Sequence, residues 1–154
     1  MDDEWKLPWE GGCRCGALRF RVTKPPLMAG ACHCRGCQRM TGSAYALTMS
    51  LNADGFEVLQ GEPVVGGLKA EPKHYHCAAC LSWVYTKPTS LPWLVNLRTS
   101  MLDDPHWATP YIELFREQGF AWASTGAKHS YATGPADDEF PRLMAEYAKE
   151  GARP

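Results

Sequence analysis

The sequence predicts a mainly β single domain with short helical turns and one C-terminal helix. Three observations carry that expectation. Apolar residues alternate with polar ones in short runs, clusters of Gly, Pro, Asn and Asp break the runs, and a helical period is sustained only near the end. The 154 residues suit one domain. A chain of this size buries roughly 70% of its unfolded surface, enough to fold without covalent staples.

In chain order, residues 1–10 read as an arm whose Trp5 and Trp9 dock on a β domain spanning 11–135. From Gly11 to Val22 the pattern alternates, with Leu18, Phe20 and Val22 on one face and Arg19 and Arg21 on the other, which predicts a half-buried strand. Pro25 and Pro26 stop it. A second strand is expected over 27–32, then a short helical turn over 38–43 closed by Gly42. Strands follow at 45–51 and 56–59 around an Asn52–Gly55 turn. Residues 61–67 read as a loop in which Val64 and Val65 could pair briefly. Short strands at 73–76 and 83–85 flank a Cys77–Cys80 turn, and two more are expected at 93–97 and 111–115. In the last segment, 136–154, Phe140, Leu143, Met144 and Tyr147 fall at i, i+3, i+4 and i+7, with Asp137 or Asp138 placed to cap a helix.

Lys and Arg total 16 against 17 Asp and Glu, a net charge of −1 that argues against a nucleic-acid or anionic-membrane partner. No apolar run approaches the roughly 20 residues of a membrane span. The N-terminus is acidic and lacks the apolar core of a signal peptide, so a cytoplasmic protein is expected.

The cysteines are the chemical signal. There are seven, an odd number, in three groups: Cys13 and Cys15; Cys32, Cys34 and Cys37; Cys77 and Cys80. A disulfide framework favours an even count and an oxidising compartment, whereas close pairs in a reduced compartment are the spacing of zinc ligands. Tetrahedral zinc holds its sulfurs about 3.8 Å apart, and short C-x-C and C-x₂-C segments meet that demand by bending the backbone round the ion. Seven thiols divide into four and three. The outer pairs would form a closed structural Cys₄ site, and the middle trio a second zinc with an exchangeable fourth position. Three thiolates leave that ion with a net charge of −1, a setting suited to thiol binding rather than water activation. Other arrangements stay open on spacing alone. His74, His76, His106 or His129 could complete a Cys₃His site, and Cys13 and Cys15 could join two of the middle cysteines. Cys34 and Cys37 also have a thioredoxin-like redox spacing, but no βαβ pattern surrounds them.

Gly11-Gly12-Cys13-Arg14-Cys15-Gly16-Ala17, then Cys32-His33-Cys34-Arg35-Gly36-Cys37-Gln38-Arg39 and Thr41-Gly42-Ser43, together resemble the glutathione-dependent formaldehyde-activating enzyme family. Cys77-Ala78-Ala79-Cys80 and Leu102-Asp103-Asp104-Pro105 extend the resemblance, which runs over about 11–125. It implies a zinc-bearing, β-tent-like fold. It also implies a structural zinc at Cys13, Cys15, Cys77 and Cys80, and a second zinc at Cys32, Cys34 and Cys37 where glutathione acts. The implied activity is condensation of glutathione, or another small thiol, with formaldehyde or a related small carbonyl, a carbon–sulfur lyase reaction. One departure is Leu81, where the family commonly has Gly after the third cysteine pair; a Leu held at positive φ there is strained. Another is His76, where the family more often has an aromatic residue.

On this reading Cys32, Cys34 and Cys37 form the catalytic centre. Arg35, Gln38, Arg39, Thr41 and Ser43 are candidates to bind the carboxylates of a peptide-like thiol, or alternatively surface and capping residues. A second reading, from another class, is a zinc-stabilised protein-binding module without chemistry, with Trp5, Trp9 and Trp107 exposed as its contact surface.

Overall fold

The structure is a computed structural model that describes residues 2–68 and 71–154. Met1 of the expected arm and Lys69 and Ala70 of the β domain lie outside the described residues. Two sheets pack face to face. The smaller is antiparallel and three-stranded, built from β1 (Trp9–Gly12), β2 (Arg19–Val22) and β5 (Phe56–Gln60) in that order.

The larger sheet has eight strands. In chain order they are β3 (Met28–Cys32), β4 (Ala46–Asn52), β6 (Pro63–Gly66), β7 (Lys73–Cys77), β8 (Trp83–Lys87), β9 (Leu94–Arg98), β10 (Ile112–Leu114) and β11 (His129–Ser130). Across the sheet the order is β11-β10-β3-β4-β9-β8-β7-β6. Among the described residues only β10 pairs in parallel, with β3 on one side and β11 on the other. Two helices complete the fold, α1 (Arg35–Thr41) between β3 and β4, and α2 (Phe140–Glu150) near the C-terminus.

The alternation that marks residues 18–22 is realised, with Leu18, Phe20 and Val22 buried. The single strand expected from Gly11 to Val22 is instead two strands. The Cys13 and Leu18 backbones close a turn, Cys13 N–H to Leu18 O at 3.0 Å, with Gly16 at φ 81°. A left-handed residue inside a cysteine knuckle cannot continue a pleated strand. Gly11 is required for a different reason. A Cβ there would lie 2.2 Å from the Met101 carbonyl oxygen, where β1 presses against the 3₁₀ turn Thr99–Met101.

Between the sheets, Leu18, Phe20 and Val22 meet Met49, Leu51, Val95 and Leu97 of the larger sheet. A second cluster joins Trp5 to Met28, Ile112 and α2 through Leu143 and Tyr147. Trp5 is only 5% exposed, and its ring lies 6.1 Å from Trp9 and 6.2 Å from Trp107. The three tryptophans expected at a contact surface therefore pack on one another, while Trp93 and Trp122 are the exposed ones.

In α2, Leu143 and Tyr147 are buried as the helical period predicts. Neither expected aspartate caps it, because Asp137–Glu139 form a 3₁₀ turn and the cap residue, Glu139, makes no side-chain hydrogen bond to the helix. The acids instead stand near the helix N-terminus, where negative charge favours the helix dipole. The two-residue β11 is too short to leave a pattern in the sequence.

Leu81 takes the strained conformation its position demands, at φ 59° with 67% of its surface exposed. A left-handed L-residue costs about 1–2 kcal/mol, and so exposed a side chain returns little packing. Leu81→Gly is therefore expected to raise folding stability by about 1 kcal/mol, seen as a higher denaturant midpoint at unchanged slope. An unchanged or lower midpoint would show that the leucine makes contacts worth the strain.

Candidate metal centres and the cavity beside them

Two groups of thiols converge. Cys13 and Cys15, from the turn between β1 and β2, meet Cys77 and Cys80, from the turn between β7 and β8, with all four sulfurs within 4.8 Å of one another. Cys13 Sγ lies 3.6 Å from Cys15 Sγ, which is 3.8 Å from Cys77 Sγ. Four thiolates about 2.3 Å from one ion would stand about 3.8 Å apart, so this group fits a tetrahedral metal such as zinc. Cys32, Cys34 and Cys37 form the second group, also within 4.8 Å of one another, and their three soft donors suit the same class of ion. No histidine joins either group among the described residues.

The trio is shaped by α1. Cys34 is the N-cap residue, its Sγ accepting the Cys37 N–H at 3.3 Å, and Gly42 closes the helix at φ 64°. An anionic sulfur is favoured at a helix N-terminus. A hydrogen bond from Cys37 holds the Cys32 thiol down at about 6, while the same contact and burial push Cys37 up.

Behind the trio, His33 is completely buried and both of its ring nitrogens are engaged. Arg116 Nη1 lies 3.1 Å from Nδ1, and Glu113 Oε1 lies 3.1 Å from Nε2. A guanidinium can only donate, so Nδ1 accepts and Nε2 carries the proton given to Glu113. Burial, opposed by Glu113 but reinforced by Arg116, lowers the His33 pKa and keeps the ring neutral. Burial works to raise the Glu113 pKa, but the Thr125 N–H (2.9 Å to Oε1) and His33 hold the carboxyl below its usual range. Arg116, His33 and Glu113 thus brace the segment between Cys32 and Cys34 and leave His33 no nitrogen for a metal.

The five polar residues beside the trio cluster around α1. Gln38 is buried, donating to His33 O at 2.8 Å and Gln118 O at 3.0 Å, and its side-chain oxygen accepts from Arg35. Thr41 donates to Cys37 O at 2.8 Å and accepts the Ser43 N–H at 3.2 Å, and Arg39 is exposed. A cavity of about 630 Å³ opens on the other side of the trio, and none of these five lines it.

Cys32 and Cys37 form part of the cavity wall, and its floor is the outer face of the larger sheet, with Thr48, Ser50, Asn96 and Arg98. Phe140, Pro141 and Met144 of α2 form the roof. A bulge helps to build this floor. Tyr85 faces Tyr75 and Trp83 faces His76, so Val84 is the extra residue, and it turns into the core while Trp83 enters the cavity. Trp83 Nε1 donates to Thr86 Oγ1 at 3.0 Å, leaving the hydroxyl proton for His74 Nδ1 at 2.8 Å. The Arg98 guanidinium lies 4.1 Å from the centre of the Trp83 ring. Arg98, Trp83, Thr86 and His74 carry no spacing signal that singles them out in the sequence. His33, Glu113 and Arg116 come together only through the parallel pairing of β3 with β10.

A two-sheet β domain with two convergent thiol clusters, one beside a large cavity, defines a protein with two candidate soft-metal sites. Residues 8–118, well over half of the chain, match the family of the glutathione-dependent formaldehyde-activating enzyme, and the chain belongs to that family. A Halomonas elongata protein named "Putative glutathione-dependent formaldehyde-activating enzyme" is 32% identical over 102 residues, 61% of this chain. The match spans 65% of that relative's length. A crystal structure of a Rhodobacter sphaeroides protein aligns with 61% of this chain and 87% of its own at 22% identity, with a TM-score of 0.48. The strand β11 and the roof helix α2 lie beyond the family-matched residues.

Removing the Glu113 carboxylate would leave the His33 Nε2–H and the Thr125 N–H without an acceptor in a buried site. Glu113→Ala is therefore expected to cost about 3 kcal/mol and Glu113→Gln, which keeps a carbonyl acceptor, nearer 1 kcal/mol, read from denaturant midpoints. Equal small losses from both would show that the brace contributes little to the fold.

Proposed function

We propose that the chain is a zinc-dependent enzyme of the carbon–sulfur lyase type, joining a thiol such as glutathione to formaldehyde or a related small carbonyl. The observation that carries this reading is a thiol trio, with only three protein donors, opening on a cavity of about 630 Å³. Cys13, Cys15, Cys77 and Cys80 would hold a structural zinc, and Cys32, Cys34 and Cys37 a second one. Zinc bound at the trio supplies a position where an entering thiol loses its proton near neutral pH. A reducing, cytoplasmic setting belongs to the same reading, since thiolate ligands persist where disulfides do not form.

The protein's own groups then do the positioning. Arg98, buried beside the cavity, offsets the surplus negative charge of three thiolates. The walls keep bulk water from the reacting atoms and hold thiol and carbonyl together, which replaces a bimolecular encounter with a local one. The thiol sulfur adds to the carbonyl carbon, forming one C–S bond. The π electrons move to oxygen, and the proton released by the thiol ends on that oxygen, so the sum needs no further reactant. His74, whose Nδ1 accepts the Thr86 hydroxyl and whose Nε2 therefore carries the ring proton, offers an N–H to the oxygen on which charge develops. Burial, aided by the charge on Arg98 and by His76, lowers its pKa and keeps the ring neutral, with Nδ1 tied to Thr86.

The test is zinc content per chain and, after cobalt substitution, the thiolate–metal absorption, each with and without excess glutathione. A glutathione-dependent spectral change, lost in Cys34→Ala while one metal per chain remains, is the expected result. Two metals indifferent to thiol would instead favour a closed, zinc-stabilised binding module.

A further inference from the structure

The cavity is far larger than formaldehyde, and its lining is mostly apolar. Among the described residues lining it, Arg98 is the one full cation, and Asp137, exposed at the mouth, is the one acid. Most of the remaining wall is apolar, with Trp83, Trp93, Leu94, Ile112, Phe140 and Met144 facing the space. The apolar roof, Phe140 and Met144, belongs to the segment outside the family-matched residues.

Arg98 is the feature that points to a ligand. It is only 6% exposed, and its Nε is fully buried without a hydrogen-bond partner. Nη2 reaches only the Asn96 carbonyl oxygen, at a long 3.4 Å. No carboxylate pairs with it among the described residues. Attraction to nearby thiolates can hold a guanidinium in place, yet it leaves these directional donors unmet, and a buried donor without an acceptor is costly. The polar groups beside it on the same sheet face largely satisfy one another, Ser50 Oγ donating to Asn96 Oδ1 at 2.8 Å.

We propose that this cavity binds an organic anion with an apolar body, a medium-chain or aryl monocarboxylate in chemical class, with its carboxylate on Arg98 and its body between Trp83 and the α2 roof. The inference rests on the reading of the thiol trio only in making this ligand the body of the substrate; the binding itself needs no thiol chemistry. A cavity of this size suits such a molecule, and burying its chain supplies the affinity.

The experiment is calorimetric titration of the zinc-loaded full chain with octanoate, 1-octanol and butyrate. Octanoate is expected to bind at least tenfold more tightly than either, the octanol comparison reporting the head group and the butyrate comparison the body. Arg98→Gln should bring octanoate to the level of octanol, while Arg98→Lys keeps part of the difference. Phe140→Ala with Met144→Ala should weaken octanoate and leave butyrate unchanged. Equal binding of octanoate and octanol, or full octanoate affinity in Arg98→Gln, would overturn the proposal. So would an octanoate-induced change in the cobalt spectrum that survives Arg98→Gln, because the carboxylate would then sit on the metal. Octanoate binding through Arg98 alongside a silent glutathione test would sustain the cavity ligand and defeat only the thiol chemistry; the reverse pattern would defeat only the ligand.

Discussion

Sulfur geometry is the constraint on which the structure hangs. Two turns from different sheets bring four sulfurs within 4.8 Å, and a third segment gathers three more. As thiolates at about 3.8 Å, each pair would repel by about 4 kcal/mol at an effective dielectric near 20. Such clusters would persist as anions only round a cation, and with one bound, folding and metal affinity would be one equilibrium, as in small zinc domains. The four-sulfur group also joins the hairpin of the small sheet to the β7–β8 turn of the large one, so it fixes how the two sheets face each other.

The larger sheet then divides its labour by face. Met49, Leu51, Val95 and Leu97 point to the core, and the residues alternating with them, among them Thr48, Ser50, Asn96 and Arg98, floor the cavity. A central sheet whose second face is polar and concave is unusual material for packing and suitable material for binding. The bulge at Val84 refines it by placing one large aromatic ring under the guanidinium of Arg98.

Much of this is legible in the sequence, and the limits have physical causes. Cysteine spacing is local information, so the clusters stand out before any fold is known. Strands such as β2 and β4 announce themselves through alternation, and α2 through its period. The knuckle that splits residues 11–22 is hidden because the alternation runs through the β2 portion and masks the left-handed Gly16. Arg98 reads as one more charged residue until pairing with β4 buries it, and the His33–Glu113 contact spans 80 positions. Attention to α1 as the place of substrate contacts follows from closeness in sequence. The cavity beside the trio is instead lined by strands β4, β7, β8 and β9, whose side chains no linear motif collects.

The position of α2 separates two tasks along the chain. The thiols and their braces lie in the family-matched residues, while the roof over the cavity comes from a later helix anchored by Leu143 and Tyr147 on Met28 and Ile112. A lineage could therefore vary Phe140 and Met144, which face the cavity, and meet a new molecule while the buried anchors and the sulfur centres stayed as they are. Selectivity in such a fold is free to drift at a pace the metal sites do not set.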